Sequence, residues 1–205
     1  PGAQLADKVI NAIYPEEKLI ENHYFGQKYF ILRDEFIFCE QKTITNEVCN
    51  ILITFGGVDP NNYAKKVVES IYEYCENNHI KITVILGFGY QNFDSLLPFK
   101  TITIKKNVSN ISKYMLKADL IFTSAGRTIY EVASIGTPAI VLAQNEREMT
   151  HFFANEEYGF INMGLGYKLS NQELLHCFTN TINSTEKRVN MNQLMKKNDL
   201  KSGRK

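Results

Sequence analysis

Residues 118–131 read Ala118-Asp-Leu-Ile-Phe-Thr-Ser-Ala-Gly-Arg-Thr-Ile-Tyr-Glu131. Leu120 to Phe122 form a run without polar alternation, the pattern of a β-strand buried on both faces. Thr123 to Gly126 are small and leave the backbone bare. Arg127 then opens a helix-like stretch that carries Glu131. A buried strand that ends in a bare turn and runs straight into a helix is one half of a parallel β–α unit.

The same grammar extends in both directions. Upstream, "ILITF" (51–55) is a β-branched run closed by Gly56-Gly57 and Asp59-Pro60. The helix "NYAKKVVESIYEYCENN" (62–78) follows, with Ala64, Val67, Val68, Ile71, Tyr72 and Cys75 on one face. "KITVILG" (81–87) and "TITIKK" (101–106) read as strands, and "FDSLLPF" (93–99) as a short helix or loop broken by Pro98. "ISKYMLKA" (111–118) reads as a short helix. Downstream, "RTIYEVASIG" (127–136) reads as helix, "PAIVLA" (138–143) as strand, "MTHFFANEEYG" (149–159) as helix, "FINMG" (160–164) as strand and "NQELLHCFTNTI" (171–182) as helix. The fold class is α/β, a doubly wound parallel sheet with helices on both faces.

The first stretch is less regular. "DKVINAIY" (7–14) suggests a short strand before a turn at Pro15. "YFGQKYFILRDEF" (24–36) is aromatic and extended, and "CEQKTITNEVCN" (39–50) reads as a linker. The expected division is 1–46, 47–183 for the main lobe, and a helical tail over 184–205. Within that tail "MKKNDLKSGRK" (195–205) is expected to be frayed and solvated.

Composition narrows the function. The 205 residues suit one good-sized domain, and the net charge of +1 gives no reason to expect nucleic acid or an anionic membrane as partner. The four cysteines lack metal-ligand spacing, which implies a reduced, cytoplasmic chain with no metal and no cofactor. No apolar run is long enough for a membrane span.

Ligands of open α/β sheets bind beyond the carboxyl ends of the strands. Those ends carry Gly56-Gly57, Gly87-Phe88-Gly89, Ser124-Ala125-Gly126-Arg127-Thr128 and Gln144-Asn145-Glu146-Arg147-Glu148. Small residues admit a ligand close to the backbone, and the following helix start offers free N–H groups, so phosphate is the natural occupant. For a single turn the alternative is ordinary: Ser124 or Thr128 as helix cap and Gly126 as turn residue. Several such turns on one rim favour a ligand. Glu131 is either a surface carboxylate facing the helix dipole or, beside a phosphate turn, an acceptor for a ribose diol. Gln144, Asn145, Glu148 and His151 can read hydroxyls or amides, and Asn145 can orient a water. The parts of a serine hydrolase, a zinc protease and a P-loop are missing.

"YFGQKYFILRDEF", "ILITFGGVDPNN" and "NVSNISKYMLKADLIFTSAGRTIYEVASIGTPAIVLAQNEREMTHFFA" together resemble the carboxyl half of the spore-coat polysaccharide glycosyltransferase-like proteins and of the UDP-sugar hydrolase of pseudaminic acid synthesis. The resemblance runs from about Ala6 to about Gly166 and implies a Rossmann-like lobe of the two-lobed GT-B fold. It implies UDP as ligand, with Val108 on the uracil, Gly126 and its neighbours on the diphosphate, Glu131 on the ribose, and Gly56-Gly57 lining the cleft between lobes. It also gives Asn145 a role in substrate or water positioning, with Gln144, Glu148 and His151 toward the sugar. Arg127 on the diphosphate is our own inference. Family members carry an amino-terminal lobe with a Gly-rich loop and a water-activating His, and no match to it occurs here; residues 1–46 are expected to be its remnant plus a hinge. The activity implied is hydrolysis or transfer at the anomeric carbon of a UDP-sugar. The other reading is a non-catalytic module that docks on a cytidylyltransferase through an exposed Tyr24–Phe36 segment.

Overall fold

The computed structural model describes residues 5–14 and 21–202. The expected turn at Pro15 and the last three residues lie outside these. Six parallel strands form the main sheet: β3 (Asn50–Ile53), β4 (Lys81–Leu86), β5 (Thr103–Lys106), β6 (Leu120–Thr123), β7 (Ala139–Ala143) and β8 (Phe160–Leu165), in the order β5-β4-β3-β6-β7-β8. Two short strands, β1 (Val9–Asn11) and β2 (His23–Phe25), pair separately in parallel.

The central strands are apolar throughout because each residue faces one of two cores. Ile51 and Ile53, Leu120 and Phe122, and Ile140 and Leu142 point to the face covered by α2 (Tyr63–Asn77) and α6 (Asn171–Ile182). Leu52, Ile121 and Val141 point to the other face, with α3 (Ile111–Lys117), α4 (Thr128–Ile135) and Met195 of α7 (Thr185–Lys196). The period-two rule therefore holds within a run that hydropathy alone reads as uniform.

Two expectations change at the ends of the chain. The aromatic segment is partly interior: Phe30, Leu32 and Phe36 join the second core, and a short helix, α1 (Asp34–Ile37), forms there. Ile31 and Phe38 alone among its large hydrophobic side chains from residue 30 to 38 stay strongly exposed. The tail is held down as far as it is described. Met195 and Leu200 are buried, Lys196 Nζ donates to the Lys42 carbonyl, and Lys201 Nζ donates to the Cys39 carbonyl. The polar stretch 39–50 has no helix but is pinned. Lys42 forms a buried ion pair with Asp119 at 2.9 Å, whose other oxygen accepts the Cys49 and Asn50 N–H groups. Buried Arg188 donates to the carbonyls of Thr45, Asn46, Thr181 and Ile182, so α7, α6 and this strap close on one cation.

The helix expected over 149–159 does not form. A single turn, α5 (Glu146–Met149), precedes bends and a 3-10 turn at Glu156–Tyr158. Asn155 accounts for the break. Its side chain donates to the Phe152 carbonyl and accepts from Glu157 N–H, completing the local hydrogen bonds that a helix would have used. Phe153 turns inward instead and stacks on Tyr130.

Candidate functional site

β3 leads to β4 and β5 on one side, and β6 leads to β7 and β8 on the other, so the order reverses between β3 and β6. A doubly wound sheet opens a crevice at such a point. The Gly56-Gly57 and Ser124–Arg127 turns therefore sit side by side on one edge. The neighbouring turns close in on them. Gly89 N–H donates to the Gly57 carbonyl, Gln144 Nε2 donates to the Phe55 carbonyl, and Asn61 Nδ2 donates to the Gln144 carbonyl.

The glycines divide by purpose. A Cβ on Gly87 would lie 2.4 Å from Gly57 Cα, so Gly87 is needed for the two turns to touch. Gly57 has no positive φ, and a Cβ there would meet nothing within 4 Å. The fold gives no reason for glycine at 57, and the space beside it is open.

The two helix starts on this rim differ. Asp59, 3% exposed, accepts the Tyr63 and Ala64 N–H groups at 2.8 Å each and closes the start of α2 from within. Burial pushes its carboxyl up, while the two N–H bonds hold it down. An anion therefore has no free first turn at α2. No side chain caps α4. Its entry residues, Gly126 and Arg127, are solvent-accessible, and Arg127 also reaches over the Phe30 ring.

Glu148 braces this turn. Its carboxylate accepts the Gln144 N–H at 2.9 Å and the Ala125 N–H, and Oε1 lies 3.5 Å from the Cβ position of Gly126. Burial pushes its carboxyl up, against those two donors. Asn145 Oδ1 accepts the Glu148 N–H and so caps α5. His151 lies beneath the turn, 7% exposed, edge-on to Tyr14 and beside the Ala125 backbone. Burial lowers its imidazole, the Ala125 backbone raises it, and Arg147 lowers it further. Ser124 and Ala125 are buried, and Thr128 is half-buried.

Glu131 is no surface residue: its side chain is 15% exposed and its Oε1 accepts Arg33 Nε at 2.8 Å. Burial raises its carboxyl, and the Arg33 hydrogen bond and charge lower it. Arg33 Nη1 also pairs with Glu35, whose second oxygen accepts the Ser112 N–H at the start of α3. Val108 is half-buried on the loop before α3, where Asn107–Asn110, Lys113, Tyr114 and Lys117 line a groove of about 560 Å³. The candidate residues thus fall into a turn cluster around 56–57, 124–128 and 144–151, and a second group in which Glu131 is tied toward the Val108 loop.

Tyr63 and Thr123, at this edge of the sheet, had no signal in the sequence as members of the site. Thr123 Oγ1 and Gln144 Oε1 are buried without a hydrogen-bond partner, while Tyr63 Oη lies by the Tyr167 backbone and the His151 ring by the Ala125 backbone. Thr123 ends β6 and Gln144 directly follows β7, whereas Tyr63 opens α2 and His151 follows α5. Native structures leave few polar atoms in this state, and Thr123 and Gln144 both stand at the carboxyl edge of the sheet. Arg33, Glu35 and Asp59 also went unread, since only Asp59 stood in a recognisable turn.

A covered parallel sheet with bare turns at its switch point defines a Rossmann-like lobe of the GT-B type. The chain belongs to the glycosyltransferase family 28 C-terminal domain family, whose pattern matches residues 50–205. It is 36% identical over 161 residues to an uncharacterized protein of Methanocaldococcus jannaschii, a match covering 69% of this chain and 33% of that one. It is 23% identical over 205 residues to the spore coat polysaccharide biosynthesis protein SpsG of Bacillus subtilis, covering 93% of this chain and 60% of the other. Among solved structures, S. aureus TarM in complex with fondaparinux, alpha-GlcNAc-glycerol and UDP shares the fold, with a TM-score of 0.64 at 11% identity over 96% of this chain and 41% of TarM. The chain thus spans less than two thirds of each of these relatives. Its four cysteines are unpaired, and among the described residues no helix is long and apolar enough to cross a membrane and no cluster could hold a metal ion.

Proposed function

We propose that this lobe seats the nucleoside diphosphate of a UDP-sugar, within an enzyme that breaks the anomeric C–O bond and releases UDP. The observation that carries the reading is the uncapped, solvent-accessible start of α4, which stands beside the Gly56-Gly57 turn at the switch point of the sheet. In this reading the diphosphate lies against the Gly56-Gly57 turn and the uncapped start of α4. There the Gly126, Arg127 and Thr128 N–H groups and the Arg127 guanidinium meet its charge. Ser124 and Ala125 shape the turn. Glu131 accepts the ribose hydroxyls, and the backbone at Val108 meets the uracil. Gln144 and Glu148 stand toward the sugar, with His151 as the wall behind them. Asn145 positions the sugar or the attacking water through its amide nitrogen, because its oxygen holds α5.

The bond broken joins the anomeric carbon to the β-phosphate oxygen. Its electrons pass to the departing UDP, and fixed N–H dipoles stabilise the growing charge. Water gives the free sugar and an acceptor hydroxyl gives a glycoside. The family membership, the likeness to a polysaccharide biosynthesis protein and a fold shared with TarM in complex with UDP support a nucleotide-sugar enzyme.

Calorimetric titration of UDP, UMP and CMP against wild type and Glu131→Ala tests the site. UDP should bind best, and the variant should lose roughly 1–3 kcal/mol, the range for removing a hydrogen-bonded charged acceptor. Equal affinity in the variant removes Glu131 from the site. Incubating the intact protein with UDP-sugar, with and without acceptor, separates water from acceptor as nucleophile by the appearance of free sugar.

A further inference from the structure

The two groups of site residues are joined by a pair of side chains that composition and motif gave no reason to notice. Arg33 reaches across 98 positions in sequence to donate Nε to Glu131 Oε1 at 2.8 Å. Its Nη1 meets Glu35 Oε1, also at 2.8 Å. Glu35 Oε2 accepts the N–H of Ser112 at 3.0 Å. The chain of contacts therefore runs from the carboxylate on α4 to the first turn of α3, directly after the loop that carries Val108. Its base is rigid. Phe30 stacks on Tyr130, the residue before Glu131, with ring centroids 4.0 Å apart, and Phe36 is fully buried beneath the Arg33 guanidinium.

We propose, resting on the reading of Glu131 as the ribose acceptor, that Arg33 and Glu35 are positioning residues that fix the Glu131 carboxylate for the ribose hydroxyls and set the protein's preference for a ribonucleotide. A vicinal diol donates two hydrogen bonds, and an ionised carboxylate held in one orientation accepts both most strongly. Burial works against ionisation of Glu131, and the Arg33 charge works for it. The planar guanidinium fork engages two carboxylates at once, which fixes direction as well as charge. Arg33 occupies one lone pair of Oε1 and leaves Oε2 for the ligand. Because Glu35 takes the other arm of the fork and the start of α3, the ribose carboxylate and the Val108 loop keep a set spacing.

The test is calorimetry on the intact protein with UDP, 2′-deoxy-UDP and inorganic pyrophosphate. The variants are Arg33→Ala, Arg33→Lys and Glu35→Gln, with melting temperatures as a check on folding. Wild type should favour UDP over 2′-deoxy-UDP by about tenfold or more, the range for a charge-assisted hydrogen bond. Arg33→Ala should bring that ratio close to one while pyrophosphate binds as before. Arg33→Lys should recover part of the preference, and Glu35→Gln should fall between. A uniform loss for all three ligands would mean that Arg33 only supports the fold, and tighter UDP binding by Arg33→Ala would mean that it blocks Glu131; either overturns the proposal. If wild type distinguishes the two nucleotides and the variants do so equally well, the positioning role alone falls. If wild type does not distinguish them, the ribose role of Glu131 falls first and takes this inference with it.

Discussion

At the scale of single residues, the rim holds groups whose protonation is set by burial, and His151 gives the cleanest reading. Its imidazole is lowered mainly by desolvation, so below about pH 6.5 the unfolded chain takes up a proton that the folded one refuses. The stability His151 contributes is thus fully present above that value and is lost as pH falls through the lowered folded value. Glu131, Glu148 and Asp59 are all raised by burial and act with the opposite sign, gaining stability as pH falls. A comparison with His151→Gln cancels them. Melting temperatures of wild type and variant between about pH 7.5 and 5.5 should converge on acidification, because only wild type carries the His151 penalty. Parallel curves would show that the ring is solvated. Asp59→Ala should cost about 2 kcal/mol in urea unfolding, since two buried N–H groups at the start of α2 lose their acceptor.

Elements were the most legible level, and the reason is local. A short apolar run followed by Gly or Ser and then by helical spacing identifies a β–α unit within a dozen residues. β3, β6 and β8, with the helices α2, α4 and α6, follow that rule, whereas β4 leads to a 3-10 turn, β5 is half polar and β7 runs into Gln144-Asn145. The helix expected over 149–159 failed because Phe152 and Phe153 keep helical spacing, while Asn155, a single side chain, redirects the backbone. The strand-end turns could be located from their small residues, but Arg33 could not be attached to Glu131, because no periodicity spans 98 positions. The turns also make a prediction at this scale. Gly57→Ala should leave the urea midpoint nearly unchanged, since its Cβ meets nothing, yet weaken UDP binding where the ligand approaches. Gly87→Ala should destabilise by about 1–3 kcal/mol through overpacking against Gly57 and lose binding as well. If both variants bind UDP like wild type, the rim does not seat a diphosphate.

On the scale of the whole molecule, the sheet has two covers of different origin. α2 and α6 come from the β–α repeat, which the sequence displays openly. The opposite core draws on the repeat for α3 and α4 but is completed by chain from both ends: Phe30, Leu32 and Phe36 on one side, and Met195 and Leu200 on the other. Nothing periodic announces those residues, so their burial emerges only when the sheet exists to receive them. The segment 30–36 also carries Arg33 and Glu35, which makes cover and site one mechanical unit. Phe36 is the test of that unity, being fully buried and distant in sequence from every strand it helps to cover. Phe36→Ala should cost about 3–5 kcal/mol in equilibrium unfolding, the range for emptying a phenylalanine site in a core. Below its reduced melting temperature it should also lower UDP affinity, because Arg33 stands on that ring. A large loss of stability with unchanged UDP affinity would show that this segment covers the sheet without ordering the site, and a loss under 1 kcal/mol in water would show that it is not part of the core at all.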